Sequence, residues 1–274
     1  MTNTIKIFKN LIIIFFFLIS CKKEDSRYDG PWITNQIDNF ILNTRPVNYS
    51  SSKSPDSVVI KTILDNHIIF QDEINSKLNV DFHLNVEIFL FNYDEALAKI
   101  GTNGGGGAEI TKNRIYYSFF GKIIYDTIIN RELYIGSHEL VHIITFNELG
   151  LHKTRLMCEG YACAIDARYG TTNGEHGEYI AKPNDLYIKE YKESNQILSP
   201  EKLLNGEDLP AELFYPQAGF FVNWLFNNYS VEKINQLYTI DKDNFKNQFF
   251  KVTGIEFCEM ESMYLEYINK LDYE

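Results

Sequence analysis

Gly136-Ser137-His138-Glu139-Leu140-Val141-His142-Ile143-Ile144-Thr145 is the stretch from which the rest of the chain is read. Histidines at i and i+4 project side by side from one helix face, so both rings can reach a single metal ion at roughly 2.0–2.1 Å. Glu139 between them stands beside the open metal position, where a general base for an activated water has to be. The spacing also predicts the helix itself. Leu133, Leu140, Val141, Ile144 and Leu149 recur at helical intervals, and Gly150 is a C-terminal stop. With histidine this scarce, the pattern arises by chance on the order of one per cent of the time, so a second element is required.

That element is Arg155-Leu156-Met157-Cys158-Glu159-Gly160-Tyr161-Ala162, where a carboxylate followed by small residues opens another helical run. A catalytic zinc takes three protein ligands and keeps one position for water. His138, His142 and Glu159 on two packed helices supply that set, for one Zn2+ per chain. Glu148 is the rival third ligand. On a continuous helix it lies about 9 Å beyond His142 along the axis and is rotated off its face. His152 and His176 read as polar loop residues, and His67 as a helix-face or capping histidine.

Taken together, His138-Glu139-x-x-His142, a short connection and Glu159-Gly160-x-Ala162 resemble the gluzincin metallopeptidases, in particular the peptidase MA-like families. The similarity runs in order over residues 80 to 271. Tyr215-Pro216-Gln217-Ala218-Gly219, leading into Phe221, Val222 and Leu225, is similar to the helix that follows the active site in these families. Thr253-Gly254 through Met260 to Leu271 is similar to their closing helix.

The resemblance implies an α+β, zincin-like fold: a small mixed sheet-and-helix N-terminal lobe, a helical C-terminal lobe, and the zinc site between them. It also implies a peptidase acting on peptide or protein substrates, with Glu139 taking a proton from the attacking water and passing it to the leaving amine. Related aminopeptidases carry a tyrosine as oxyanion donor where this chain has Tyr215; an aromatic packing role is the alternative. Thermolysin-like enzymes place an aspartate one turn after the glutamate ligand, where this chain has Cys163. Asp166, two turns on, is then the acidic residue available to orient a ligand histidine, or else a surface aspartate. Gly106-Gly107-Ala108-Glu109-Ile110 faintly resembles the loop with which aminopeptidases of the clan hold a substrate's amino group, Glu109 being the anchor. It lacks the methionine and asparagine of that loop. Cleavage within polypeptides is therefore the expectation, with aminopeptidase action, or a non-catalytic peptide-binding lipoprotein keeping the fold, as alternatives.

At the start of the chain Lys6 and Lys9 precede an apolar run from Leu11 to Ile19. The run is shorter than the roughly twenty residues that span a bilayer but suits a signal segment. Leu18-Ile19-Ser20-Cys21 resembles a bacterial lipobox, which implies cleavage before Cys21, lipid on its sulfur, and an exported domain anchored to a membrane, either on the periplasmic side or at the cell surface. The expected organisation is a signal peptide over 1–20, a tether and edge strand over 21–55, and the peptidase domain over 56–274. The net charge is −11, and loss of residues 1–20 removes two lysines and no acids, giving −13 from 24 basic and 37 acidic residues. Such acidity excludes nucleic acid as a partner. Nothing in the sequence bears on oligomeric state. Cys158, Cys163 and Cys258 are an odd set, against a disulfide framework, and Cys158 is expected to be a small buried packing residue.

Between these landmarks the spacing predicts a helix over Ser57–Leu78, a strand over Leu84–Phe91 and a short helix over Tyr93–Ile100. Gly104 to Gly107 read as a loop or wide turn without a phosphate-binding pattern. Glu109–Phe120 reads as a strand, and in gluzincins the strand in this position is the sheet edge over the cleft. Residues 171–205 read as a polar insertion rimming the cleft. Helices follow to the end, with Pro216 in the first turn of a Tyr215–Asn227 helix.

Overall fold

The computed structural model describes residues 26–46, 55–100, 106–119, 135–172 and 179–272. The signal segment, Cys21, Leu133 and His176 lie outside them. Residues 1–31 form one unit, in which a single 3-10 turn, Ser26–Tyr28, is described; Trp32–Glu274 form the other.

The second unit is built on a five-stranded mixed sheet. Strands β1 (Ile33–Ile37) and β2 (Phe40–Thr44) make an antiparallel hairpin, turned where Asp38 takes φ 53°. β2 runs parallel to β3 (Val86–Asn92), and β3 runs parallel to β5 (Arg114–Phe119). β4 (Gly106–Glu109) adds antiparallel to β5, so the order is β1-β2-β3-β5-β4. A parallel pair needs a crossover connection, which helix α1 (Ser57–Leu78) supplies between β2 and β3; α2 (Tyr93–Ile100) follows β3. The α1 helix matches the predicted span because both ends carry their own signals. Asp56 accepts the Val59 N–H at 2.9 Å, and Asn79 turns out of the helix at φ 52°. Its Ile63, Leu64, Ile74 and Leu78 join Phe40, Leu42, Ile88, Leu90 and Ile115 in one core.

His67 belongs to that core and is neither a cap nor a surface residue. Its Nδ1 lies 2.8 Å from the Ile63 carbonyl and its Nε2 lies 3.3 Å from the Tyr117 hydroxyl. Burial pushes its pKa down to about 4, against a smaller upward pull from the Ile63 carbonyl.

Three expectations for this part are corrected. The stretch assigned to a tether and one edge strand contributes two strands: β1 is at an edge of the sheet, as expected, but β2 is interior. Arg45, buried at its end, lies 3.4 Å above the Trp32 ring and binds Glu95 of α2 from Nε at 3.0 and 3.1 Å. The glycine run is not wholly loop: Gly106 and Gly107 belong to β4, while 104 and 105 lie outside the described residues. A Cβ on Gly107 would stand 2.2 Å from the Tyr116 hydroxyl, and one on Gly106 would stand 2.6 Å from Tyr117 Cδ1. Glycine is needed where the β5 tyrosines cross the strand, and the ladder overrides its poor strand propensity. Finally, the strand predicted over Glu109–Phe120 is not continuous: Glu109 ends β4 and the rest of its described strand residues are β5. It breaks at a 3-10 turn, Ile110–Lys112, and at Asn113 with φ 51°, so the edge strand is β4 and β5 is interior.

The C-terminal part is mainly helical: α3 (His138–Leu149), α4 (Arg155–Asp166), α5 (Asn184–Glu193), α6 (Pro200–Leu204), α7 (Ala211–Asn228), α8 (Val231–Asn235), α9 (Lys242–Thr253) and α10 (Phe257–Lys270). A hairpin, β6 (Arg168–Thr172) with β7 (Tyr179–Pro183), separates α4 from α5. The described part of 171–205 holds the end of β6, then β7, α5 and α6. The α7 helix starts four residues before Tyr215, which puts Pro216 in its second turn. The ring cannot donate to the Glu212 carbonyl; the Tyr191 hydroxyl of α5 donates to it at 2.5 Å instead. The molecule is therefore α+β, with a mixed sheet followed by a helical part. Among the described residues no helix is long and apolar enough to cross a membrane.

Candidate metal centre

Along α3 the side chains of Leu140, Val141, Ile143 and Ile144 are buried, while His138, Glu139 and His142 keep part of their surface open. Helical spacing alone separates these two sets. The first turn of α3 is closed from outside. The Ser137 side chain makes no cap of its own, and Asp166 accepts the Ser137 N–H at 2.7 Å and its hydroxyl at 3.1 Å. A carboxylate there also complements the partial positive charge of the helix start. The other end stops at Gly150, whose φ of 99° suits a residue without a Cβ.

Helix α4 starts at Thr154, whose hydroxyl accepts the Met157 N–H at 3.2 Å, and presents Glu159 in its second turn. It crosses α7 through small residues. A Cβ on Gly160 would stand 2.6 Å from Val222 Cγ2, and one on Gly219 would stand 2.5 Å from Cys163 Cβ. These contacts let the two backbones approach. Tyr215 of α7 then stacks on His138 with centroids 6.3 Å apart and planes at 28°.

Three ligand atoms converge. His138 Nε2 and His142 Nε2 are 3.1 Å apart, and Glu159 Oε2 lies 3.3 Å from the first and 3.5 Å from the second. A tetrahedral zinc with bonds of about 2.0–2.1 Å has ligand–ligand edges of about 3.3–3.4 Å. The donor set and its spacing are compatible with such an ion, and among the described residues these three form the cluster that could hold a metal. Glu148 is exposed in the last turn of α3 and takes no part in the cluster. The close contacts within the cluster shift the titration of Glu159 and His142. Burial alone would raise the Glu159 carboxyl, but hydrogen bonds and charge from His138 and His142 outweigh it and hold the group well below the usual carboxylate range. Burial would lower His142, and Cys158 and Glu159 beside it reverse that and raise it well above the ordinary imidazole value.

The far sides of the two rings meet sulfur. Cys158 Sγ is 3.6 Å from His142 Nδ1, and Cys163 Sγ is 3.7 Å from His138 Nδ1. Both cysteines are free, as is the exposed Cys258, and burial pushes both α4 thiols up, so they stay protonated. Cys158, expected to be a small buried packing residue, is only half-buried and lines the cavity beside His142. Asp166, considered for an imidazole, accepts hydrogen bonds from Ser137, the residue before α3.

A cavity of about 460 Å³ joins these groups; Glu139 lines it together with the three ligands, Tyr215 and Cys158. The strand side is β4, through Gly106, Gly107 and Ala108. Compared with known proteins, the chain matches no family model. No curated protein matches it either.

Two further residues take positions that the sequence did not reveal. His152 is a loop residue, as expected, but the link between α3 and α4 on which it sits places it in the cavity lining. Burial, with His142 adding to it, lowers its pKa. Glu109 is not among the cavity's lining residues; its carboxylate pairs with Lys112 at 2.9 Å.

Proposed function

We propose that the chain is a zinc-dependent peptidase of the gluzincin type that cuts within polypeptides. The carrying observation is the Nε2–Nε2–Oε2 triangle of 3.1–3.5 Å with Glu139 in the same cavity. His138, His142 and Glu159 would hold the ion. When bound there, zinc supplies Lewis-acid polarisation of a carbonyl oxygen and acidifies water. Glu139 takes the proton of the attacking water and hands it to the leaving amine nitrogen. Tyr215 donates a hydrogen bond to the oxygen on which charge develops. Supporting this, Tyr215 lines the cavity against His138, and its hydroxyl stays protonated, pushed up to about 12 by burial and by Glu159, with Arg155 opposing.

An extended substrate chain binds along β4, which among the described residues is an edge strand of the sheet and lines the cavity; main-chain pairing of this kind tolerates varied side chains. The two-lobe reading draws on the same arrangement, a strand edge on one side and α3, α4 and α7 on the other. Cleavage within chains, rather than from a free amino end, is supported by the pairing of Glu109 with Lys112. The domain works outside the cytoplasm, held by lipid on Cys21, on the strength of Lys6, Lys9, the apolar run and Leu18-Ile19-Ser20-Cys21.

The test compares wild type with Glu139→Gln for zinc content and for hydrolysis of an unfolded protein substrate. Both should carry about one zinc per chain, and the variant should lose activity by about 100-fold or more. Zinc-loaded wild type that cuts nothing would leave a binding protein in place of an enzyme.

A further inference from the structure

With Nε2 of each ring turned toward the ligand triangle, a neutral imidazole carries its one proton on Nδ1. That N–H needs an acceptor, and a ligand histidine ordinarily finds a carboxylate, a backbone carbonyl or water. Here each Nδ1 faces a cysteine: Cys158 Sγ at 3.6 Å for His142 and Cys163 Sγ at 3.7 Å for His138. Both cysteines sit on α4, on either side of Glu159 in sequence, so one helix supplies the third ligand and a partner for each of the other two.

We propose that Cys158 and Cys163 are positioning residues of the metal centre, their thiols holding the two ligand imidazoles through paired N–H···S contacts. The proposal rests on the metal set argued above and deepens it. Three observations separate it from packing or ligation. Each sulfur lies beside the Nδ1 of its ring, whereas the ligand triangle uses Nε2, and neither belongs to the ligand cluster. Gly219 lies so close to Cys163 Cβ that no side chain fits between them, which fixes the base from which the thiol reaches His138. The one carboxylate considered for this role, Asp166, binds Ser137.

Sulfur is a weaker acceptor than a carboxylate oxygen. It orients the ring while adding little to the ring's basicity, which leaves a bound metal the stronger Lewis acid.

The experiment uses the full-length protein with Cys158→Ala, Cys158→Ser, Cys163→Ala, Cys163→Ser and, as a control, Cys258→Ala. Zinc affinity is read by competition with a chromophoric chelator, and the ligand field by the visible spectrum of the cobalt(II) form. The alanine variants should lose about 10–100-fold in zinc affinity and shift the cobalt bands. The serine variants, which restore an acceptor of similar size, should recover part of the loss, and Cys258→Ala should match wild type. Thermal unfolding of the metal-free forms identifies any variant whose loss is one of folding. Alanine variants within about twofold of wild type with unchanged cobalt bands would overturn the proposal, since a lost partner for a ligand histidine costs more than that. So would serine variants no better than alanine ones. A wild-type chain that binds no zinc overturns this proposal together with the ligand set; one that binds zinc but cuts no peptide overturns only the peptidase reading.

Discussion

Asp166 at the end of α4 accepts the backbone N–H of Ser137 at the start of α3, at 2.7 Å. The helix that carries Glu159 thereby closes the first turn of the helix that carries both histidines. Asp166→Ala should lower stability by about 1 kcal/mol, as for a lost N-terminal cap, while Asp166→Asn, which keeps an acceptor, should lose less. Urea unfolding of the metal-free forms measures both. An alanine variant as stable as wild type would show that the contact contributes nothing.

Glu159→Ala should release zinc, and Glu148→Ala should not, because only the former carboxylate lies within 3.5 Å of both imidazole nitrogens. Metal analysis after dialysis decides between them. Equal retention in the two variants removes Glu159 from the ligand set.

His67 makes acid stability pH-dependent. Burial holds its folded pKa at about 4, below the ordinary imidazole value of 6.5, so between those values the unfolded chain binds the extra proton. Stability from this group is complete above about pH 6.5 and declines as pH falls toward about 4, by roughly 3 kcal/mol in all. His67→Gln, which stays neutral, should therefore lose less stability than wild type between about pH 7 and about pH 4.5. Chelator-treated samples keep the metal ligands from contributing unequally. Identical losses in the two proteins would mean that His67 is protonated inside the fold.

A peptide with an acetylated amino end should be cut as readily as its free form, because the Glu109 carboxylate already pairs with Lys112. Mass analysis of the products distinguishes internal cuts from stepwise removal. Cleavage of the free form alone, one residue at a time and abolished by Glu109→Gln, would reverse the preference for internal cleavage.

The sequence by itself determined the local features. The α1 helix could be read to its ends because Asp56 and Asn79 are capping residues, and the two faces of α3 follow from i, i+4 spacing alone. The same spacing singled out His138, Glu139 and His142, and a carboxylate followed by small residues singled out Glu159, which lies in the second turn of α4. Contacts between segments distant in the chain decided the rest. Gly106 and Gly107 have no strand propensity and become the cleft's edge strand only because β5 pairs with them and its tyrosines lie across them. Pro216 could enter the second turn of α7 because Tyr191, from another helix, takes the carbonyl it leaves. Asp166 and the two cysteines could not be assigned their partners from spacing. Which groups meet the far side of an imidazole depends on how closely α4 approaches α3 and α7, and that distance is set by the small residues Gly160 and Gly219 packed between helices.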